Sequence, residues 1–142
     1  MRPVLLPFRA EHIMDLVDRD GVVYTWDHAV YLERGGPAFS GLVGEKTIVC
    51  AGVCTLWPGV GGAWVAMNND AERYGLWITR TIRAVLADII RTQGHHRVEV
   101  QVDASNERNL RWIRVLGFHR EGSVARFYTS DRKDMVRFER LT

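Results

Sequence analysis

Residues 97–122 read RVEVQVDASNERNLRWIRVLGFHREG, and this stretch decides the fold. Apolar and polar side chains alternate over 97–102, which predicts a strand with one buried face. The turn at 103–106 then opens a short helix with one apolar stripe, formed by Leu110, Ile113 and Leu116. Gly117 stands where a helix favours a left-handed C-terminal residue, and Phe118 can fold back on the last turn. The stretch therefore predicts a strand, a tight turn, a short helix and a second strand in immediate succession.

This order, closed by Leu116-Gly117-Phe118, resembles the C-terminal half of the GNAT N-acetyltransferase superfamily. In that family an Asn ends the strand, and a short helix ending in Gly-Phe follows. The run RWIRVLGF at 111–118, continuing into REGSVARFY at 120–128, is more similar to the small GNAT-like proteins encoded by tailed phages. The resemblance implies an α/β (α+β) fold in which helices flank a central mixed sheet.

The rest of the chain supports one GNAT-like domain over residues 1–142, because the pattern predicts the order β-α-α-β-β-β-α-β-α-β-β. The predicted strands lie at 4–8, 38–43, 47–57, 63–67, 97–102, 120–128 and 135–140. The predicted helices lie at 11–17, after Thr25 or Asp27 up to Gly35, at 71–92 and after Asn106. The helix at 71–92 has a predicted buried stripe of Tyr74, Ile78, Ile82, Val85 and Ile89.

Composition limits the function classes. At 142 residues, 46% hydrophobic and 25% charged, the chain is typical of one globular domain. No leader or membrane span is visible, and Cys50 and Cys54 are too far apart along a strand to bond, so we expect reduced thiols and a cytoplasmic protein. Residues 1–71 hold 5 Lys and Arg against 8 Asp and Glu, and residues 72–142 hold 14 against 9. The basic half suits an anionic ligand, and the acidic half suits a cationic partner. Charged residues that only face solvent would explain both charge excesses equally well.

The resemblance implies a site for acetyl-CoA between the fourth and fifth strands. The pantetheine arm would run beside Val65 and Met67, and the pyrophosphate would lie at the start of the central helix, near Arg73, Tyr74 and Gly75. Asn106 either contacts the pantetheine arm or caps the short helix. The family's loop reads Gln/Arg-x-x-Gly-x-Gly/Ala, but here Glu72 takes the first position and Trp77 the last. The acid would repel phosphate, and the indole would obstruct a close backbone approach.

Candidate catalytic groups are sparse. Glu99 is the best-placed carboxylate for a general base, and a cross-strand pair with an Arg is its alternative role. Many family members carry a general-acid Tyr in the short helix, but Ile113 occupies that position and cannot transfer a proton. Tyr24, Trp26 and Asp27 lie where family members often bind acceptors. No spacing predicts a metal site, and nucleic-acid binding is disfavoured because Arg108, Arg111 and Arg114 lack a recognition-helix context.

Two functions fit these residues. The first is an enzyme, a phage-encoded N-acetyltransferase that moves an acetyl group from acetyl-CoA to an amine of a small molecule or a protein. The second is a catalytically silent GNAT-fold phage protein that acts as a virion-associated or host-protein-binding module. The degenerate loop and Ile113 favour the second, while the complete topology and the basic second half favour the first.

Overall fold

The computed structural model describes residues 2–142 as a seven-stranded mixed sheet with helices on both faces. The strands are β1 (Val4–Pro7), β2 (Ala38–Val43), β3 (Lys46–Trp57), β4 (Val60–Met67), β5 (Arg97–Asp103), β6 (His119–Ala125) and β7 (Met135–Leu141). The helices are α1 (Ala10–Asp15), α2 (Trp26–Arg34), α3 (Gly75–Gln93) and α4 (Glu107–Val115), and a 3₁₀ helix spans Asn69–Tyr74. The strand order in the sheet is β1-β2-β3-β4-β5-β7-β6. The predicted fold class and element order are confirmed.

The central helix departs from its prediction. Residues 69–74 form the 3₁₀ helix, and the α-helix begins only at Gly75, so the predicted start at residue 71 is wrong. The buried stripe of α3 is Ile78, Ile82, Leu86, Ile89 and Ile90, whereas Tyr74 and Val85 are only partly buried. The predicted length of the hairpin turn before β4 is also wrong. Gly59, with φ of +84°, completes a tight turn, and the glycines after it already belong to the ladder.

The sheet separates two hydrophobic clusters. On one face, α3 and α4 pack over the sheet through a cluster that includes Val98, Val100, Val102, Ile113 and Phe138. On the other face, α1 and α2 cover β3 and β4 through Phe8, Ile13, Leu32, Cys50 and Cys54. The two cysteines are buried free thiols on that face. None of the helices between residues 2 and 142 combines the length and apolar character that a membrane span requires.

The sheet opens between its two central parallel strands. Within residues 2–142, β4 and β5 pair at three positions, with Val60 opposite Arg97, Gly61 opposite Val98 and Gly62 opposite Glu99. Beyond Gly62, β4 continues to pair with β3 up to Met67, and β5 continues to pair with β7 up to Asp103. Each strand therefore presents one unpaired backbone edge to a gap that widens toward its C-terminal end.

Candidate functional site

The gap between β4 and β5 forms a cleft of about 290 Å³. Its apolar walls come from both strands and from α4, and include Ala63, Val65, Val100, Val102, Trp112 and Ile113. Its polar rim includes Asp20, Asp103, Asn106 and Asn109. The cleft therefore combines water-excluding walls with the free backbone edges of two strands, an arrangement suited to an extended chain that carries amide groups.

A groove of about 320 Å³ shares Trp112 with this cleft and runs between α3, α4 and the end of β4. The indole N–H of Trp112 donates to Thr79 Oγ1 at 3.0 Å and fixes α4 against α3. Gly75 lines the groove, and a Cβ atom built on it would meet nothing within 4 Å. The groove thus has open space beside the first residue of α3.

The loop between α1 and α2 crosses the mouth of the cleft. The Arg19 backbone N–H donates to the Met67 carbonyl at 2.8 Å, which attaches the loop to the end of β4. The Arg19 Nη2 donates to Asn109 Oδ1 at 3.2 Å, which attaches it to α4. The Asp20 carboxylate accepts from Asn106 Nδ2 at 3.2 Å and from Asn109 Nδ2 at 3.3 Å. These four hydrogen bonds join the two sides of the splay.

An ion pair completes this network. The Arg108 guanidinium donates to Glu72 Oε1 at 2.8 Å and lies 3.4 Å from Asp20 Oδ1, so it connects α4 to both the 3₁₀ helix and the loop. Arg19 is more deeply placed, with 9% of its side chain exposed. Burial, followed by the nearby charge of Arg108, lowers the pKa of Arg19 from its ordinary value. The network therefore places two guanidinium groups in one groove.

The six residues predicted to bind the cofactor take different positions. Val65 and Asn106 line the cleft, and Met67 and Gly75 line the groove. Arg73 is exposed and Tyr74 packs partly buried against the core, so neither belongs to the lining of the cleft or the groove as described over residues 2–142.

Asn106 caps α4, because its Oδ1 accepts from the Asn109 N–H at 3.0 Å. Trp77 does not line the groove over the described residues, since its ring packs toward β2, where a Cβ atom on Gly41 would lie 2.9 Å from it. The expected obstruction by this indole is therefore wrong. The acid at position 72 is present in the groove, but it is paired with Arg108.

Glu99 lies at the paired end of β4 and β5, opposite Gly62. Its carboxylate accepts from Arg97 Nη2 at 2.8 Å, and the same guanidinium bonds Glu121 and Glu139, each at 2.6 Å. Glu99 therefore pairs with an Arg of its own strand, and the expected cross-strand pair is wrong, while the role of Glu99 as a base stays a prediction. Ile113, at the expected general-acid position, is buried with 6% exposed and lines the cleft. The ring of Tyr24 lies 5.5 Å from the ring of His28 at an angle of 33°. Burial raises the pKa of Tyr24 to about 12.

Sequence reasoning did not identify Arg19, Asp20, Asn109 or Thr79 as site residues, and it considered Arg108 only as a nucleic-acid contact. The segment Asp18-Arg19-Asp20-Gly21 is a charged loop with a glycine, and nothing in its local pattern points across the sheet. Its side-chain partners Asn106 and Asn109 lie 86 to 90 residues later in the chain. Among the described residues, His, Cys, Asp and Glu form no group of three or more placed to bind a metal.

The fold of this chain is shared by several solved N-acetyltransferase structures. Ard1 from Thermoplasma volcanium is 16% identical over 100% of this chain and 99% of its own, with a TM-score of 0.83. The ribosomal-protein-S18-alanine N-acetyltransferase from Escherichia coli is 19% identical over 97% and 92%, with a TM-score of 0.75. A spermidine N-acetyltransferase mutant from Vibrio cholerae is 14% identical over 98% and 93%, with a TM-score of 0.76.

No protein-family model matches the chain, and no curated protein matches its sequence. At identities below one fifth, the likeness to the solved structures shows the fold alone, because one fold can host several activities.

Proposed function

We propose that the protein is an N-acetyltransferase that moves an acetyl group from acetyl-CoA to an amine. The observation that carries this proposal is the end of pairing between β4 and β5 after Gly62. The unpaired backbone edges offer hydrogen bonds to the amides of a pantetheine arm, and the apolar walls exclude water from a thioester placed between them. The same splay exists in no other part of the sheet described over residues 2–142.

The residues present fit the cofactor unequally along its length. The arm would be held by Val65 and Met67 on one side of the splay and by the amide of Asn106 on the other, once that amide releases Asp20. The phosphate end would lie near Gly75, where the groove has open space, and near the exposed Arg73. When bound, acetyl-CoA supplies an activated acyl group with a thiolate as its leaving group.

The chain's own residues would position the acceptor and move two protons. In such a transfer the amine nitrogen would bond to the acyl carbon as the carbon–sulfur bond breaks, so the amine would lose a proton and the thiolate would gain one. Asp20 and Asp103 are carboxylates on the cleft rim, whereas Glu99 lies at the closed end and is bonded to Arg97. We keep Glu99 as the sequence-based candidate base and add Asp20 as the candidate on the rim. Ile113 donates no proton, so water or another group protonates the thiolate.

The acceptor we propose is an amine of a small molecule or a protein. Two structural neighbours carry such acceptors in their names, spermidine in one and a ribosomal protein in the other. The proposed setting, a phage protein in the host cytoplasm, is supported by the sequence run 111–128 and not by the fold neighbours. A cytoplasmic location also agrees with the two buried free thiols.

A second function is favoured by a specific observation, the Glu72–Arg108 pair across the groove. While that pair is formed, Arg108 is neutralised and the Glu72 carboxylate opposes a phosphate in the groove, and Ile113 cannot act as the usual proton donor. The protein would then be a catalytically silent phage module that binds a host or virion protein. The overall fold would be retained, because the cores on both sides of the sheet do not depend on the cofactor.

One experiment separates the two functions. Calorimetric titration of the full chain with acetyl-CoA measures binding, and release of free coenzyme A thiol in the presence of polyamines and an N-terminal peptide amine measures turnover. Binding followed by amine-dependent thiol release supports the enzyme. Absence of binding overturns the enzyme and supports the silent module, and binding without thiol release from any amine overturns the proposed transfer.

A further inference from the structure

Arg19 is a buried cation whose hydrogen bonding is incomplete. Its side chain is 9% exposed and lines the groove beside Met67 and Gly75. Its Nε is shielded from solvent and has no hydrogen-bond partner among residues 2–142, since the nearest carboxylate oxygen, on Asp20, is 4.0 Å away. A buried guanidinium donor without an acceptor is costly, and an acceptor bound in the groove would remove that cost.

Arg108 brings a second guanidinium to the same groove. Two like charges near one another disfavour each other, and an anion between them removes that cost. Arginine is suited to this role, because its planar fork donates two parallel hydrogen bonds to a phosphate. At present Arg108 is neutralised by Glu72 and lies near Asp20, so an entering anion has to compete with internal carboxylates.

The start of α3 offers less than an ordinary helix N-terminus. The preceding 3₁₀ helix runs directly into it, and the Gly75 N–H already donates to the Glu72 carbonyl. Tyr74, at the N-cap, makes no side-chain capping bond. With one of the first N–H groups used internally, a phosphate at this position depends more strongly on side-chain cations.

We propose that Arg19 and Arg108 together bind a phosphate group of the cofactor, and that Glu72 is the internal competitor that holds Arg108 until the phosphate replaces it. This inference rests on the proposed function, since the ligand is acyl-CoA. It assigns phosphate binding to the loop between α1 and α2 and to α4, in addition to the start of α3. Both guanidinium groups would keep their charge throughout, so no proton is exchanged.

The test is calorimetric titration of the full chain with coenzyme A and, separately, with pantetheine, which lacks every phosphate. Arg19→Gln and Arg108→Gln are each expected to lower coenzyme A affinity by at least about 10-fold, the scale of a lost charge-assisted hydrogen bond. Glu72→Gln is expected to raise it several-fold, because it releases Arg108 from its internal partner. Pantetheine affinity is expected to be equal in the parent and all variants.

Arg111→Gln is the matched control, since Arg111 is exposed on the same helix and does not line the groove over the described residues. Arg108 is 46% exposed, so its replacement leaves the core intact and decides the question if Arg19→Gln does not fold. Unchanged coenzyme A affinity in Arg108→Gln, or no gain in Glu72→Gln, overturns this assignment. A parent that binds neither ligand overturns the proposed function instead, so the two failures are distinguishable.

Discussion

Replacing Ile113 with Tyr tests whether the short helix lacks only a proton donor. In many of the GNAT proteins that the sequence resembles, a Tyr at this position protonates the departing thiolate. In this chain Ile113 lines the cleft. Ile113→Tyr places a phenol there without altering the charge of the protein. If the cofactor already binds, general acid catalysis is expected to raise acetyl transfer by about 10²–10⁴-fold.

The cost in stability follows from the packing around Ile113. The side chain is 6% exposed and borders an apolar cavity of about 40 Å³ as well as the open cleft of about 290 Å³. Overpacking a core typically costs about 1–3 kcal/mol. Because one side of Ile113 faces open space, we expect a loss in the free energy of unfolding at the lower end of that range.

Ile113→Phe is the matched control, because its ring has the same shape and lacks only the hydroxyl. Both variants are expected to lose similar stability in urea unfolding, and only the Tyr variant is expected to gain rate. The assay is single-turnover release of coenzyme A thiol with a fixed amine. This interpretation of the helix would be refuted by two results together. The parent would already turn over at about 1–10³ s⁻¹, and the folded Tyr variant would be no faster than the Phe variant.

Three further predictions follow from other parts of the structure. Arg73→Glu is expected to weaken coenzyme A binding by about 1–3 kcal/mol through a lost charge-assisted bond and new repulsion, while pantetheine binding in the same calorimeter stays constant. The Arg97 guanidinium lowers the pKa of Glu121 to about 2. The Arg97–Glu121 pair therefore stabilises the protein above the ordinary carboxyl pKa, and this stabilisation is lost as pH falls and Glu121 is protonated. Urea unfolding between about pH 5 and pH 2 is expected to show a smaller loss in Arg97→Gln than in the parent. Gly41→Ala is expected to lower the free energy of unfolding by about 1–3 kcal/mol, because its Cβ would lie 2.7 Å from Val49 Cγ1 and 2.9 Å from the Trp77 ring. Gly75→Ala is the control and should not destabilise the protein, because its Cβ would meet nothing within 4 Å.

The fold could be predicted because each of its decisive signals is local. Alternation over 97–102 fixes the buried face of β5, and Gly117, with φ of +95°, ends α4 as its position indicates. The start of α3 could not be predicted to the residue. A 3₁₀ helix and the first turn of an α-helix share similar spacing, and the difference depends on Gly75 donating to Glu72 instead of to a carbonyl one residue earlier.

The site could be predicted only where it is built from strand ends. The splay between β4 and β5 was expected from the GNAT resemblance; Val65 and Asn106 line the cleft there, and Met67 lines the adjoining groove. The hydrogen bonds that cross the mouth of the cleft could not be predicted. Asp20 and Asn109 are 89 residues apart, and each is an ordinary polar residue in its own segment. A pattern with a period of two or 3.6 residues carries no information about which loop lies over which helix.

The hydrogen bonds of Asp20 and the Glu72–Arg108 ion pair at the mouth of the cleft affect the choice between the two functions. Its bonds are of a kind that water can replace, since Asp20, Glu72 and Arg108 are each at least one third exposed. An exposed ion pair contributes about 0–1 kcal/mol, and an ordinary hydrogen bond contributes about 0.5–1.5 kcal/mol net. Opening the Glu72–Arg108 pair and the two amide bonds to Asp20 therefore costs about 1–4 kcal/mol. Micromolar binding corresponds to about 8 kcal/mol, so a cofactor that buries its arm in the apolar cleft can meet that cost. The Glu72–Arg108 pair would therefore weaken the affinity for a cofactor without preventing its binding, so acetyl-CoA titration and amine-dependent thiol release together distinguish the enzyme from the silent module.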